Sequence, residues 1–431
     1  QGRFWPWVGA AAAVALAVRL AYVLSDDRML PSGDGFDFRF AGLRLANGDG
    51  YTSRGPAGLE PSAHHPPGWA TVLGAYALLG GRTFLAQQLL AVALGVALVV
   101  VVAVIGRRLL TARVGVVAAF LSAVYPGFWL LEGNVLSEPL GLVVLGLLIL
   151  AIAGLREHFT SGRAVGAGVL LGLLTLVRSE QIALLILLVA PTVLAVRSVP
   201  LRRRLALLAA AAVSMTAVVA PWVVFNLSRF EEPVVLSYNG GGTLLAGNCG
   251  SSFGGEQLGS FDVSCGYRLA LQHPELDGSQ LDVQARSMAR SNVGDHLSSM
   301  PRVVAARFGR AFAVFRPSQT VDLAAGFVGT STAPIWAWVI SFGLLFALAG
   351  IGWAAARAKG MWVLPLLGPM VLPVILVAVT YGEPRYHSLA DLSIIVLAAA
   401  GLVRLVVGRY GWLPNRSSPS APLGNAPAVT S

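Results

Sequence analysis

Lysine is almost missing from this chain: Lys359 is the only one, so arginine supplies nearly all of its positive charge, a bias expected of a GC-rich bacterial genome. Charge of either sign is scarce, at 12% of residues. No GxxxxGK[ST] stretch, no HExxH and no CxxC pair occurs, which removes support for ATP-driven transport and for zinc hydrolysis. The net charge of +10 is not arranged as a basic stripe interleaved with aromatics on a polar surface, so nucleic acid is not an expected partner. Cysteine is limited to Cys249 and Cys265, sixteen positions apart in one long polar stretch, and outside the cytoplasm such a pair is expected to form a disulfide. Gln1 stands close to the first apolar segment without a cleavable signal pattern, and the start reads as trimmed.

Apolar side chains are abundant. They make up 55% of the 431 residues, with a mean hydropathy of +0.70, more than a soluble core can hide. The expected class is an all-α polytopic membrane protein of about ten transmembrane helices, over 5–24, 83–106, 109–129, 139–154, 164–179, 181–196, 205–225, 333–355, 361–379 and 390–408. Several fall short of the roughly 20 residues that cross a bilayer, so two can meet at a break. Basic clusters occupy every second loop: Arg107, Arg108 and Arg113; Arg156 and Arg163; Arg197 and Arg202 to Arg204; Arg357 and Lys359; then Arg409. The positive-inside rule places these and both termini in the cytoplasm. Loops 25–82, 126–138, 226–332 and 380–389, and the segment Arg178 to Gln181, then face out.

The domain plan follows: a transmembrane core over 1–225 with its first outward loop at 25–82, a long outward loop over 226–332, transmembrane helices over 333–408, and a disordered Ser-, Pro- and Ala-rich tail at 409–431. Loop 25–82 carries an amphipathic stretch near Phe38 to Ala46, read as an interfacial helix. Its apolar segment at 69–80, only a dozen residues long, fits an interfacial or re-entrant helix better than a span, although crossing would add a span and upset the parity. In the long loop, the glycine-rich stretch from Asn239 reads as irregular and 276–299 as a polar helix. Segment 302–316, with Arg302, Arg307 and Arg310 opposite Val304, Phe308, Phe312 and Phe315, is expected among lipid headgroups. GAGVLLG at 166–172 is expected to pack closely on another helix.

The motifs occur in a characteristic order: Asp34 followed by Phe38, Leu45, Gly48 and Tyr51; His65 to Trp69 (HPPGW); Tyr125-Pro126; Ser137-Glu138-Pro139; TLVRSE ending at Glu180; Pro221-Trp222 with Asn226; Gly247-Asn248; and GEPRY at Gly382 to Tyr386. Across most of 1–408 this order resembles the C-type membrane glycosyltransferases of the family 39 kind, relatives of protein O-mannosyltransferases and the aminoarabinose transferase of lipid A. The resemblance implies a polyprenyl-phosphate sugar as donor, a glycan, lipid or protein acceptor outside the plasma membrane, and inversion at the sugar.

It further implies that Asp34 is the general base. A departing lipid phosphate is already a stable anion, so one carboxylate suffices. Asp37 and Glu138 are the other acids, Asp37 serving acceptor or metal or remaining a solvated charge. Arg385 matches the family's donor-phosphate residue. Tyr386 joins it or belongs to the aromatic belt, and His65 stands where relatives carry Lys or Arg. Arg178 is a further phosphate ligand or a structural partner of Glu180 and Glu138. His64, Glu180 and Asn248 are expected toward the acceptor, and Asn226 as a helix-end cap. The spacing of His64 and His65 gives no metal signature, so the metal is left open, with no cofactor certain and a divalent cation a possible one. The rival function is a transporter or lipid-carrier flippase, but no inverted repeat is visible.

Overall fold

The computed structural model describes residues 3–55 and 58–408; Arg409 and the tail over 409–431 lie outside the described residues. All ten expected apolar segments are helical, but they are not ten full-length spans. Among the described residues, five helices are long and apolar enough to cross a membrane: Phe4–Leu24, Phe84–Leu109, Glu138–Glu157, Leu201–Leu227 and Thr332–Ala358. Ala112–Val124 and Pro126–Gly133 together could make a sixth, bent by 45° between them. The cause is local: a proline disfavours the helical region for the residue before it, and Tyr125 is extended with ψ 118°. Ser161–Val177, Ser179–Leu194 and Leu364–Val379 are apolar but short.

Helix Asp391–Val407 runs through the centre, with most of its side chains buried. It packs on Thr332–Ala358 by glycine, because a Cβ on Gly352 would collide with the Leu397 carbonyl and one on Gly401 with that of Leu348. The GAGVLLG stretch behaves as expected: Gly168 and Gly172 bring helix 161–177 against the backbone of helix 201–227. An ion pair between Arg19 and Glu132 (2.7 Å), which the sequence did not announce, is wholly enclosed among the first helices. Gly95 admits it, since a side chain there would occupy the carboxylate's place.

Two units of shorter helices pack on the long apolar ones. In the first loop, helices Asp34–Asn47 and Gly68–Leu78 cross closely at Gly42 and Gly74. A two-stranded antiparallel hairpin, Thr52–Gly55 with Gly58–Pro61, lies between them in sequence. Trp69 is fully buried and donates its indole N–H to the Val135 carbonyl at 2.8 Å.

The long loop folds into helices Asn239–Gly247, Ser264–Gln272, Gly278–Asp295, Met300–Ala311 and Pro317–Val328, clasped by the expected Cys249–Cys265 disulfide. Two expectations are corrected here. The glycine-rich start is helical, because Gly241 lets helix 239–247 lie against helix 278–295 and its N–H is held by the Asp282 carboxylate. Arg307 and Arg310 do not meet lipid phosphates: both are buried, at 0% and 1% exposure, and donate to backbone carbonyls. Irregular backbone around 247 and 258 leaves carbonyls without partners, and a guanidinium with five donors satisfies several at once.

Candidate active site

Asp34 opens helix 34–47 at the end of a tightly held approach. Asn134 accepts the Ser32 N–H and donates to the Ser32 carbonyl, each at 2.9 Å. Gly33 is left-handed (φ 52°), and a Cβ on Gly35 would strike the Asn134 carbonyl, so glycine is required on both sides of the acid. His64 and His65 are fixed through their backbones: the Ser237 hydroxyl donates to the His64 carbonyl at 2.6 Å and the Tyr51 hydroxyl to that of His65 at 3.1 Å. The His65 ring stacks on Phe38 at 4.4 Å.

Arg385 lies in the short 3₁₀ turn Pro384–His387. Gly382 fits against the Arg307 carbonyl with no room for a side chain, and its N–H donates to the Gly259 carbonyl at 3.0 Å. Arg307 in turn holds the carbonyls of Ala378 and Gly247. At the other end of the turn, a His387 ring nitrogen meets the Asp391 carboxylate at 2.7 Å, which also accepts the Tyr125 hydroxyl at 2.8 Å. The turn is thus clamped from both sides.

These pieces enclose a cavity of about 410 Å³. Of the residues singled out from sequence, Asp34, His65, Arg178, Glu180, Arg385 and Tyr386 line it. Asp34, Arg385, Arg178 and Glu180 form one charged chain through Glu138, which lies behind them. Arg385 donates to Asp34 at 2.7 Å and to Glu138 at 2.5 Å; Arg178 donates to the same Glu138 oxygen at 2.6 Å and to Glu180 at 2.5 Å. Burial pushes the Asp34 carboxyl up, but the Arg385 charge and its hydrogen bond prevail and hold it well below the usual carboxylate range. His65 stays neutral, its value lowered to about 3, first by burial and against the pull of Asp34.

The remaining expected residues sit elsewhere. Glu138 is fully buried between two arginines, behind the wall. Asp37 and His64 are exposed and half-exposed at the rim, 3.9 Å apart. With His65 they place one ligand atom each within 4.8 Å of the others, so this trio can hold a cation. Asn248 is buried away from the cavity, where its side chain accepts from Arg307 at 2.8 Å and donates to the Leu244 carbonyl. Asn226 is buried and accepts from Arg229 at 3.0 Å.

Residues 64–225 match the family model of dolichyl-phosphate-mannose-protein mannosyltransferases. No curated protein sequence matches the chain. Among solved structures, the Archaeoglobus fulgidus oligosaccharyltransferase tethered to an acceptor peptide containing the NVT sequon superposes with a TM-score of 0.57 at 14% identity, over 93% of this chain and 49% of that one. AglB from the same organism, in complex with an inhibitory peptide and a dolichol-phosphate, gives 0.56 at 15%, over 93% and 50%. The chain has the C-type membrane glycosyltransferase fold. It spans about half the length of the oligosaccharyltransferase it matches. ArnT from Cupriavidus metallidurans bound to undecaprenyl phosphate is 19% identical over 93% of this chain and 78% of that one, with a TM-score of 0.45.

Within this C-type fold the cavity also gathers residues that the sequence reading did not assign. Glu383 and Tyr381 come from the segment carrying Arg385, and Arg286 from the long loop. Glu383 stands inside the GEPRY motif, so its position was visible and its role was not. Arg286 carries no local signal; only the folding of helix 278–295 over helix 239–247 brings it to the cavity.

Proposed function

We propose that the chain is an inverting glycosyltransferase that moves one sugar from a polyprenyl-phosphate carrier to an acceptor hydroxyl on the extracytoplasmic side of the plasma membrane, in cell-envelope biosynthesis. The observation that carries this is the meeting of the Asp34 carboxylate and the Arg385 guanidinium, 2.7 Å apart, on one cavity of a C-type fold. A phosphate needs a cationic fork and an attacking hydroxyl needs a proton acceptor, and both are in place before a substrate enters. The alternating basic clusters support an outward-facing cavity.

In the proposed reaction the acceptor oxygen bonds to the anomeric carbon from the face opposite the phosphate. The carbon–oxygen bond to the phosphate breaks, and its electron pair leaves with the lipid phosphate. The hydroxyl proton passes to Asp34. Arg385, Arg178 and Tyr386 stabilise the charge that grows on the departing oxygen. Neutral His65 offers a hydrogen bond rather than a fixed charge. Arg385 holds the Asp34 carboxyl low in the resting site; a donor phosphate sharing that guanidinium weakens the hold and makes Asp34 a better base. Glu180 and His64 are assigned to the acceptor side, with a glycan, lipid or protein as acceptor. The test is to incubate membranes containing the protein with a panel of radiolabelled polyprenyl-phosphate sugars. One donor should lose its label to product; retention of label by every donor sinks the reading.

A further inference from the structure

We infer that Glu383 binds the donor phosphate as a neutral carboxylic acid, taking up one proton from solvent when the lipid-linked phosphodiester enters the cavity. The inference rests on the transferase reading above. Glu383 is only 6% exposed, yet it lines the cavity, and its carboxyl has no hydrogen-bond partner among the described residues. The guanidiniums nearest to it are already engaged, Arg385 by Asp34 and Glu138, Arg178 by Glu138 and Glu180. Four carboxylates therefore share two arginines.

The other groups facing the cavity do not change that balance. Arg286, on helix 278–295, is tied to Asp282 at 2.7 Å. His65 is neutral, and Tyr381 and Tyr386 are phenols held above their ordinary value, chiefly by burial. Arg307, behind Gly382, is turned to backbone carbonyls. Burial, with Asp34 and Glu138 nearby and Arg385 opposing, pushes the Glu383 carboxyl up to about 7.

A phosphodiester brings one more negative charge to Arg385. An ionised Glu383 repels it; a protonated Glu383 donates its O–H to a phosphate oxygen. Only a proton is bound in this step, and no bond in the donor breaks. The sign follows from linkage. Donor binding raises the Glu383 value above 7, so affinity is constant below about pH 7 and falls as pH rises through the free-site value, approaching tenfold per pH unit.

The probe is farnesyl methyl phosphate, a phosphodiester whose single charge is constant across the range, titrated calorimetrically into the full chain in nanodiscs from about pH 6 to 9. At about pH 8 the heats are compared in two buffers of different ionisation enthalpy, which counts protons on the wild-type protein without any variant. Expected are the falling affinity above neutrality and uptake approaching one proton. Glu383→Gln, which keeps an N–H donor, should bind with flat affinity and no uptake, while His273→Asn, at a histidine away from the cavity and paired with Glu275, should retain the slope. Wild-type binding that is independent of pH and takes up no proton overturns the inference and leaves the transferase reading intact. Absence of probe binding at every pH, together with no transfer from any polyprenyl-phosphate sugar, overturns both.

Discussion

Replacing Asp34 with asparagine isolates the proton acceptor from everything else the residue does. The amide has nearly the shape of the carboxylate, and its oxygen can still accept from Arg385, which donates to Asp34 at 2.7 Å. Arg385 also keeps its 2.5 Å bond to Glu138, so the guanidinium is not released. What disappears is the ability to take the acceptor proton. General-base catalysis is typically worth 10²–10⁴ in rate, or about 3–5 kcal/mol of barrier, so turnover should fall by that factor. Donor binding should hold or tighten, because one negative charge near the phosphate is gone. Arg385→Ala should do the opposite: the phosphate loses its fork, and Asp34 and Glu138 lose a shared cation, so donor affinity falls first. The assay is transfer from radiolabelled donor in proteoliposomes, with KM and kcat measured separately. An Asp34→Asn protein that transfers sugar near the wild-type rate refutes the assignment and passes the role to Asp37. A variant that loses donor binding as deeply as Arg385→Ala refutes the division of labour.

Glu138→Ala should cost roughly 3–5 kcal/mol, read as a lowered Tm or lost expression, because two arginines then lie buried or half-buried without their shared carboxylate. Reducing Cys249–Cys265, which closes a sixteen-residue separation, should destabilise the long loop by up to about 3 kcal/mol, seen as faster proteolysis between helices 239–247 and 278–295. Gly382→Ala should suppress turnover without removing any charged group, since its methyl collides with the Arg307 carbonyl and displaces the Arg385 turn; unchanged kcat counts against that packing. Cysteines introduced at Ser53 and Glu275 should both react with an impermeant reagent from outside intact cells, and labelling from the cytoplasmic side alone reverses the orientation.

The helices were legible because each apolar run writes its own signal locally. Where they differ from expectation, the cause is a contact between distant residues. Tyr125 and Pro126 sit in the middle of an unbroken apolar segment, and hydropathy has no means of showing that the chain turns 45° there; the proline did carry the hint. The Arg19–Glu132 pair was hidden for the same reason. Each residue is a lone charge in an apolar stretch, and only Gly95 on a third helix makes room for them to meet. Helix 239–247 was read as irregular because glycine weakens a helix taken alone, yet Gly241 is what allows that helix to dock on helix 278–295.

The site divides along the same line. Asp34 and Arg385 were found because they stand in short motifs of unusual composition, and they come together from positions 351 apart because two clamps converge on them, one built on Asn134 and one on Arg307. The helical pattern of 302–316 gave the wrong side for Arg307, since amphipathic periodicity assumes that charge points toward water or headgroups. Here the strongest demand is internal: the backbone carbonyls of Gly247 and Ala378 need donors, and a buried guanidinium supplies both. Glu138 illustrates the converse. It was read either as a second acid or as a structural partner of Arg178, and a carboxylate oxygen bonded by two arginines at 2.5 and 2.6 Å suits the structural alternative, holding them at a fixed spacing. Under the proposed function, that spacing would set where a phosphate sits against Arg385 and Arg178. On this reading Glu138 decides donor geometry while Asp34 decides turnover, although both are acids on the same chain of charges.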